Sequence, residues 1–202
     1  MDGPAQYGSE YTEYQSNRSR IRKLARTPWL RAAEAYVGGP AVDLGCGVGE
    51  LLARLPAGSM GLEINRSTIE LCVGQGLDVS FYDGTDDDWS LAPVLGRATT
   101  FDTLILSHVL EHLDDPDVVL HKLLGAAGHA GIRQTLVIVP GRAGYRSDNT
   151  HRTFVDRPLL EDPAIVDGTS FRLSSTSYFP GNVRGIGDYV KYHELQASFV
   201  RS

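Results

Sequence analysis

A doubly wound α/β fold, with a seven-stranded, mostly parallel sheet and an antiparallel closing strand, is predicted for this 202-residue chain by three observations. Short, continuously apolar runs recur along it, segments of helical period separate them, and the first run ends in a glycine-rich turn at 45–49. Strands of a parallel sheet are covered on both faces and therefore read as apolar throughout. Parallel neighbours also need crossover segments between them, usually helices.

Residues 1–12 show little periodicity and are expected as a lead-in. Over 13–25, Ile21 and Leu24 share a face with Arg18, Arg22 and Lys23 around it, which predicts a short amphipathic helix. Thr27 and Pro28 have the residue types of a helix start, and Trp29, Ala32, Ala33 and Tyr36 form a stripe that Gly38 and Gly39 end. The core then reads as strand 41–44, helix 50–55, strand 61–64, helix 67–73, strand 78–82, strand 103–106, helix 116–127 and strand 136–139. An irregular stretch follows to Arg157. Two β-like runs, 171–179 and 189–200, are joined by a glycine-rich link at 181–187 and are expected as a closing hairpin antiparallel to the rest. The expected division is an N-terminal helical lid over 1–37 and a ligand-binding core over 38–202.

One domain accounts for this length, and 42% hydrophobic residues suffice for its core. A net charge of −6 opposes a nucleic-acid partner, because affinity for phosphates comes chiefly from Lys and Arg. Cys46 and Cys72 form no metal-binding or disulfide pattern, and no apolar run approaches the roughly 18 residues of a membrane span. A cytoplasmic location without membrane contact is the expectation. The oligomeric state is open, with a homodimer among the options. No metal is expected. The acidic run 86–88 reads as a solvated loop capping a following helix, and Asp115-Pro116 as a helix cap.

Ligands of open α/β sheets bind at the carboxyl ends of strands near the topological switch point, which directs attention to V-D-L-G-C-G-V-G-E at 42–50. Glycines there let a ligand approach the backbone, and the segment after them offers unpaired N–H groups. A dinucleotide turn wants a third glycine where Glu50 stands, and no Lys and hydroxyl pair follows to make a nucleoside-triphosphate loop. NAD is thus disfavoured. Asp43, at the end of the first strand, can face a cationic group, and Glu63, 20 residues on, ends the next strand where a carboxylate reaches a ribose.

The segment 42–50 resembles motif I of class I S-adenosylmethionine-dependent methyltransferases, and G-L-E-I-N at 61–65 resembles their second strand. Phe81-Tyr82-Asp83-Gly84 is similar to the third-strand acid motif. F-D-T-L-I-L-S-H-V-L-E-H-L at 101–113 resembles the fourth strand and turn of the small-molecule subgroup that includes the ubiquinone-biosynthesis methyltransferases. The resemblance covers about 38–140 and implies a Rossmann-like methyltransferase fold with S-adenosyl-L-methionine as cofactor. It implies Gly45 and Gly47, with Cys46 between them, against the methionyl part. It further implies Glu63 on the ribose, Ile64 on an adenine face, Asp83 with Gly84 at the adenine amine, and Ser107 behind the sulfonium. Cys46 also reads as a small packing residue.

Methyl transfer to oxygen benefits from a base near neutral pH, which makes histidines candidates. His151, in the loop after strand 136–139, is the expected catalytic residue, while His108 and His112 are expected along the substrate wall. Arg142, Arg146 and Arg152 surround His151 and suggest an anionic small-molecule substrate, with Arg146 the chosen contact. A second arginine cluster, 18–31, follows Tyr7, Tyr11 and Tyr14 and reads as part of the lid. The sequence points to methyl transfer to an oxygen of a natural-product, sugar or cell-surface precursor. A non-catalytic or regulatory protein that binds the same cofactor is the other reading.

Overall fold

A computed structural model describes residues 29–202. The helix expected over 13–25, the arginines and tyrosines of the expected lid before Trp29, and the Thr27-Pro28 start lie outside the described residues. The described chain begins with a helix over 29–36, α1, whose Trp29, Leu30 and Ala33 are buried against Ala41, Ile105, Leu136 and Ile138 on one face of the sheet.

Among the described residues one seven-stranded sheet forms, from β1 (Ala41–Leu44), β2 (Met60–Glu63), β3 (Val79–Phe81), β4 (Thr103–Ser107), β5 (Gln134–Pro140), β6 (Phe171–Phe179) and β7 (Glu194–Arg201). Their order is β3-β2-β1-β4-β5-β7-β6, and the first five are parallel. β7 lies between β5 and β6 and runs antiparallel to both. The expected hairpin therefore exists, but β7 alone is reversed and β6 returns to the common direction. The opposite face carries α3 (Pro116–His129), whose Leu120, Leu123 and Leu124 pack with Val42, Leu44, Leu104 and Leu106. Residues of β1, β4 and β5 alternate between these two apolar layers, so these three strands are largely apolar.

Helix α2 (Arg66–Gly74) starts where Asn65 Oδ1 accepts from the N–H groups of Ser67 (3.0 Å) and Thr68 (3.4 Å). At the start of α3, Asp115 holds the cap position without a side-chain cap bond, and Pro116 fills the first turn. Instead of the helix expected over 50–55 there is a 3-10 turn, Leu52–Arg54. Pro56 forces the residue before it out of helical geometry, and Leu55 is extended with ψ 158°. The segment after β3 also forms turns rather than the helix expected behind 86–88: Asp87 Oδ2 accepts from Ala92 N–H (3.2 Å) and Tyr82 Oη from Leu91 N–H (3.3 Å). The last strand starts at Glu194 rather than 189, because Tyr189 and His193 donate their N–H groups to turn carbonyls at Ile186 and Val190. Past Pro140, the irregular stretch holds one short helix, α4 (Arg142–Tyr145), and α5 (Arg157–Leu160) closes it.

A Cβ on Gly84 would lie 2.3 Å from the Trp89 ring, so this glycine makes room for a tryptophan packed against the core. Gly84→Ala is expected to destabilise the protein by about 1–3 kcal/mol through overpacking, read as a drop of several degrees in thermal unfolding.

The chain leaves β1 toward β2 and β3, then returns to place β4 on the other side of β1. This reversal opens a crevice at the carboxyl ends of β1 and β4.

Candidate active site

The turn after β1 is built for close approach. Gly45 has φ +69°, and a Cβ there would lie 2.8 Å from Val109 Cγ2 in the turn after β4, so a side chain meets both strain and a clash. Glu63, at the end of β2, locks the turn from the side. Its Oε2 accepts from Gly47 N–H (2.9 Å) and its Oε1 from the N–H groups of Ile64 and Asn65 (2.9 Å each). Burial raises its pKa, and these three bonds oppose the rise. A carboxylate offers about four lone-pair positions and three are in use, so gripping both hydroxyls of a ribose requires one backbone bond to be shared or released.

Asp43 lies on β1 in register with Ile105 of β4, and Ser107 follows Ile105 by two residues on the same sheet face. Both present a buried oxygen, Asp43 Oδ2 and Ser107 Oγ, that has no hydrogen-bond partner among the described residues. Burial, and then the charge of Glu63, push the Asp43 carboxyl up to about 7. A buried acid with an orphaned oxygen is a place where a bound cation would be stabilised.

The remaining motif residues divide. Ile64 projects from the strand end with 40% of its surface exposed, available to a planar ligand. Asp83 Oδ1 accepts from the N–H groups of Thr85 (3.0 Å) and Asp86 (3.4 Å), a turn-forming role that uses one of its two oxygens. The Cys46 thiol is buried in a cluster with Leu52, Cys72 and Val79, in line with its packing reading, so only its backbone belongs to the turn.

At the far side of the crevice the three candidate histidines converge on Glu111, which sequence reasoning did not single out. His108, in a left-handed conformation at φ 57°, sets Nδ1 3.1 Å from Glu111 Oε1 and Nε2 3.4 Å from Glu194 Oε2. His151 Nε2 stands 3.9 Å from Glu111 Oε1, and its ring meets that of His112 edge-on at 4.8 Å. Burial lowers the pKa of His112, which favours the neutral ring. The Glu111 backbone carbonyl accepts from Arg152 (2.8 Å) and Thr153 (3.2 Å), tying the turn after β4 to the loop after β5. The only sequence signal for Glu111 was its place between two histidines in an apolar stretch. Glu194, contributed by β7, gave none.

The arginines near His151 are not equivalent. Arg142 pairs with Asp188 (3.4 Å) and stacks on Phe154, and Arg152 pairs with Asp114 (2.8 Å). Arg146 is exposed and makes no ion pair among the described residues, which leaves it available to an anion.

A family model described as methionine biosynthesis protein MetW matches residues 32–140. No curated protein matches the chain. Among solved structures, a SAM-dependent methyltransferase from Archaeoglobus fulgidus is 20% identical, covering 94% of this chain and 98% of its own, with a TM-score of 0.62. Magnesium protoporphyrin IX methyltransferase from Synechocystis PCC 6803 with bound SAH is 15% identical, covering 97% and 96%, at a TM-score of 0.66. A SAM-dependent methyltransferase from Thermotoga maritima, described as a possible histamine N-methyltransferase, is 13% identical, covering 96% and 97%, at 0.67. The fold is that of class I SAM-dependent methyltransferases.

Proposed function

The chain belongs to the family of methionine biosynthesis protein MetW, and from that premise we propose that it is an enzyme transferring a methyl group from S-adenosylmethionine to an oxygen of a small, anionic acceptor. The observation that carries this reading is the pair of orphaned buried oxygens, Asp43 Oδ2 and Ser107 Oγ, on one sheet face at the switch point. S-adenosylmethionine, when bound, supplies a methyl group made electrophilic by its sulfonium.

The chain's own residues fit that ligand. Asp43 offers a negative charge to its cationic end, Ser107 a hydroxyl beside it, and the turn 45–49 close access to backbone. Glu63 offers its remaining acceptor position to the ribose, Ile64 an apolar face, and Asp83 Oδ2 an acceptor for an exocyclic amine. On the acceptor side, His151 donates Nδ1–H to the Tyr145 carbonyl (2.8 Å), which leaves the lone pair on Nε2. We assign that atom to activating the acceptor hydroxyl and Arg146 to its anionic group. The remaining contribution is alignment of nucleophile and methyl group, worth several kcal/mol in favourable cases.

Calorimetric titration with S-adenosylmethionine, S-adenosylhomocysteine and NAD tests the cofactor. Micromolar binding of the first two and none of NAD is the expected result, and the reverse preference would reject the proposal. His151→Ala is expected to lower turnover by about 10²- to 10⁴-fold while S-adenosylhomocysteine affinity stays within about twofold. Equal turnover would remove His151 from the mechanism.

A further inference from the structure

We propose that Glu111, His112 and His151 form a divalent-cation site at the end of the crevice, with open coordination positions for the acceptor. The acceptor's role there rests on the methyltransferase reading, whereas the site itself does not. One donor atom from each of the three residues lies within 4.8 Å of the other two. Two imidazoles and one carboxylate with positions left open are a donor set typical of mononuclear catalytic metal centres.

Both imidazoles already have one ring nitrogen committed to a backbone carbonyl. His151 Nδ1–H is committed to the Tyr145 carbonyl (2.8 Å), and the ring stacks on Tyr145 at 5.4 Å. His112 Nδ1–H points at Thr150, with the carbonyl at 3.3 Å and Oγ1 at 3.2 Å. The Thr150 hydroxyl donates its own hydrogen to Asp148 Oδ1 (2.7 Å), so toward His112 it can only accept. Each ring is thereby held in the tautomer with a free lone pair on Nε2, as outer-shell carbonyls do for ligating histidines.

Glu111 supplies an independent observation. Its side chain is 1% exposed, and Oε2 is buried without a hydrogen-bond partner among the described residues. A carboxylate so placed is costly unless a positive charge neutralises it, and a cation held by Glu111 and the two imidazoles would do so. His108, bonded to Oε1, is a positioning residue that holds the carboxylate in place. Metal bonds of about 2.1 Å in a tetrahedral arrangement set donors roughly 3.4 Å apart. Glu111 Oε1 and His151 Nε2 stand at 3.9 Å, and the three donors lie within 4.8 Å of one another, so closing onto an ion takes side-chain rotations that draw the donors together by up to about 1.4 Å. The mixed imidazole and carboxylate set favours Zn²⁺, Co²⁺ or Mn²⁺ over Mg²⁺ or Ca²⁺. Bound at such an ion, an acceptor hydroxyl would release its proton to solvent more readily; His151 Nε2 would then be a ligand, so the activation assigned above to that atom would act through the ion and not by taking the proton itself. Neither acidic stretch of the sequence, 86–88 or 114–115, contributes a donor.

The test uses the full chain, stripped with a chelator and titrated with ZnCl₂ and CoCl₂ by calorimetry and visible absorption. The expected result is one ion per chain with a Co²⁺ spectrum of nitrogen and oxygen ligation. Affinity is expected to fall at least about 100-fold both in the His112→Ala/His151→Ala double variant and in Glu111→Gln. His121→Ala and His129→Ala, on α3, are expected to bind as the wild type does. Absence of stoichiometric Zn²⁺ or Co²⁺ binding, or undiminished binding by the double variant, overturns the site. S-adenosylhomocysteine titrated into the same variants reports on their folding. If the wild type binds metal but not S-adenosylhomocysteine, the metal site stands and the methyltransferase reading falls.

Discussion

Asp43→Asn is expected to weaken S-adenosylmethionine binding by about 10- to 100-fold while stabilising the ligand-free protein at pH 8. The affinity loss follows from removing a buried charge opposite a cationic group, a contact worth roughly 1.5–3 kcal/mol. The gain in stability follows from linkage. The Asp43 carboxyl rises from 3.8 to about 7 on folding, through burial and then the charge of Glu63. Between these pH values the folded chain keeps a proton that the unfolded chain has released. Its contribution to stability is therefore full below about pH 4, is lost as pH rises toward 7, and stays lost above it. The loss is on the order of 4 kcal/mol at most for a shift of this size. Asn carries no such linkage. Thermal unfolding at pH 5 and pH 8 should show a smaller pH difference in the variant and a higher midpoint than wild type at pH 8. Binding should tighten between pH 6 and pH 8 in the wild type only. A variant that is less stable at pH 8, with unchanged affinity, would mean that Asp43 is a structural residue.

Glu63→Ala is expected to be the most damaging single change in the proposed cofactor site, because one side chain holds the turn after β1 and is assigned to the ribose. Removing it leaves the N–H groups of Gly47, Ile64 and Asn65 without their acceptor. Hydrogen bonds to a charged group are worth roughly 1.5–3 kcal/mol each. Water entering the space, and relief from the desolvation that raises the Glu63 pKa, offset part of that sum. A net loss of about 2–4 kcal/mol, with S-adenosylhomocysteine binding reduced beyond detection at micromolar concentrations, is the expected outcome. Glu63→Gln separates the two effects. It keeps the volume and one acceptor oxygen but turns an N–H₂ toward a backbone donor or toward the ribose. Its stability should lie between those of wild type and Ala, with affinity nearer Ala. Unfolding midpoints and calorimetry measure both, and wild-type affinity in Glu63→Gln would show that the carboxylate does not hold ligand.

Local sequence patterns were informative wherever burial alone decides conformation. β1, β4 and β5 lie between α1 and α3, so their apolar runs marked them to within a residue or two. The pattern was misleading where local bonds compete with periodicity. Residues 50–55 have helical spacing, but Pro56 forbids the second turn, and the segment after β3 is held in turns by Tyr82 and Asp87. In the candidate site, Asp43, the glycine turn, Glu63, Asp83 and Ser107 could be nominated from sequence because each stands at or just past a strand end marked by its own segment.

The sequence by itself determined the class of fold and the strands at whose ends the candidate acids stand. Those properties depend on residues near one another in the chain. Only the tertiary structure decided that β7 lies between β5 and β6, that Asp43 Oδ2 and Ser107 Oγ are left without partners among the described residues, and that Glu111 joins His108, His112 and His151. Burial and pairing at these groups are set by segments distant in sequence, brought together by crossovers and by the return of the last strand. Periodicity reports which face of an element is apolar and carries no information about what that face will meet.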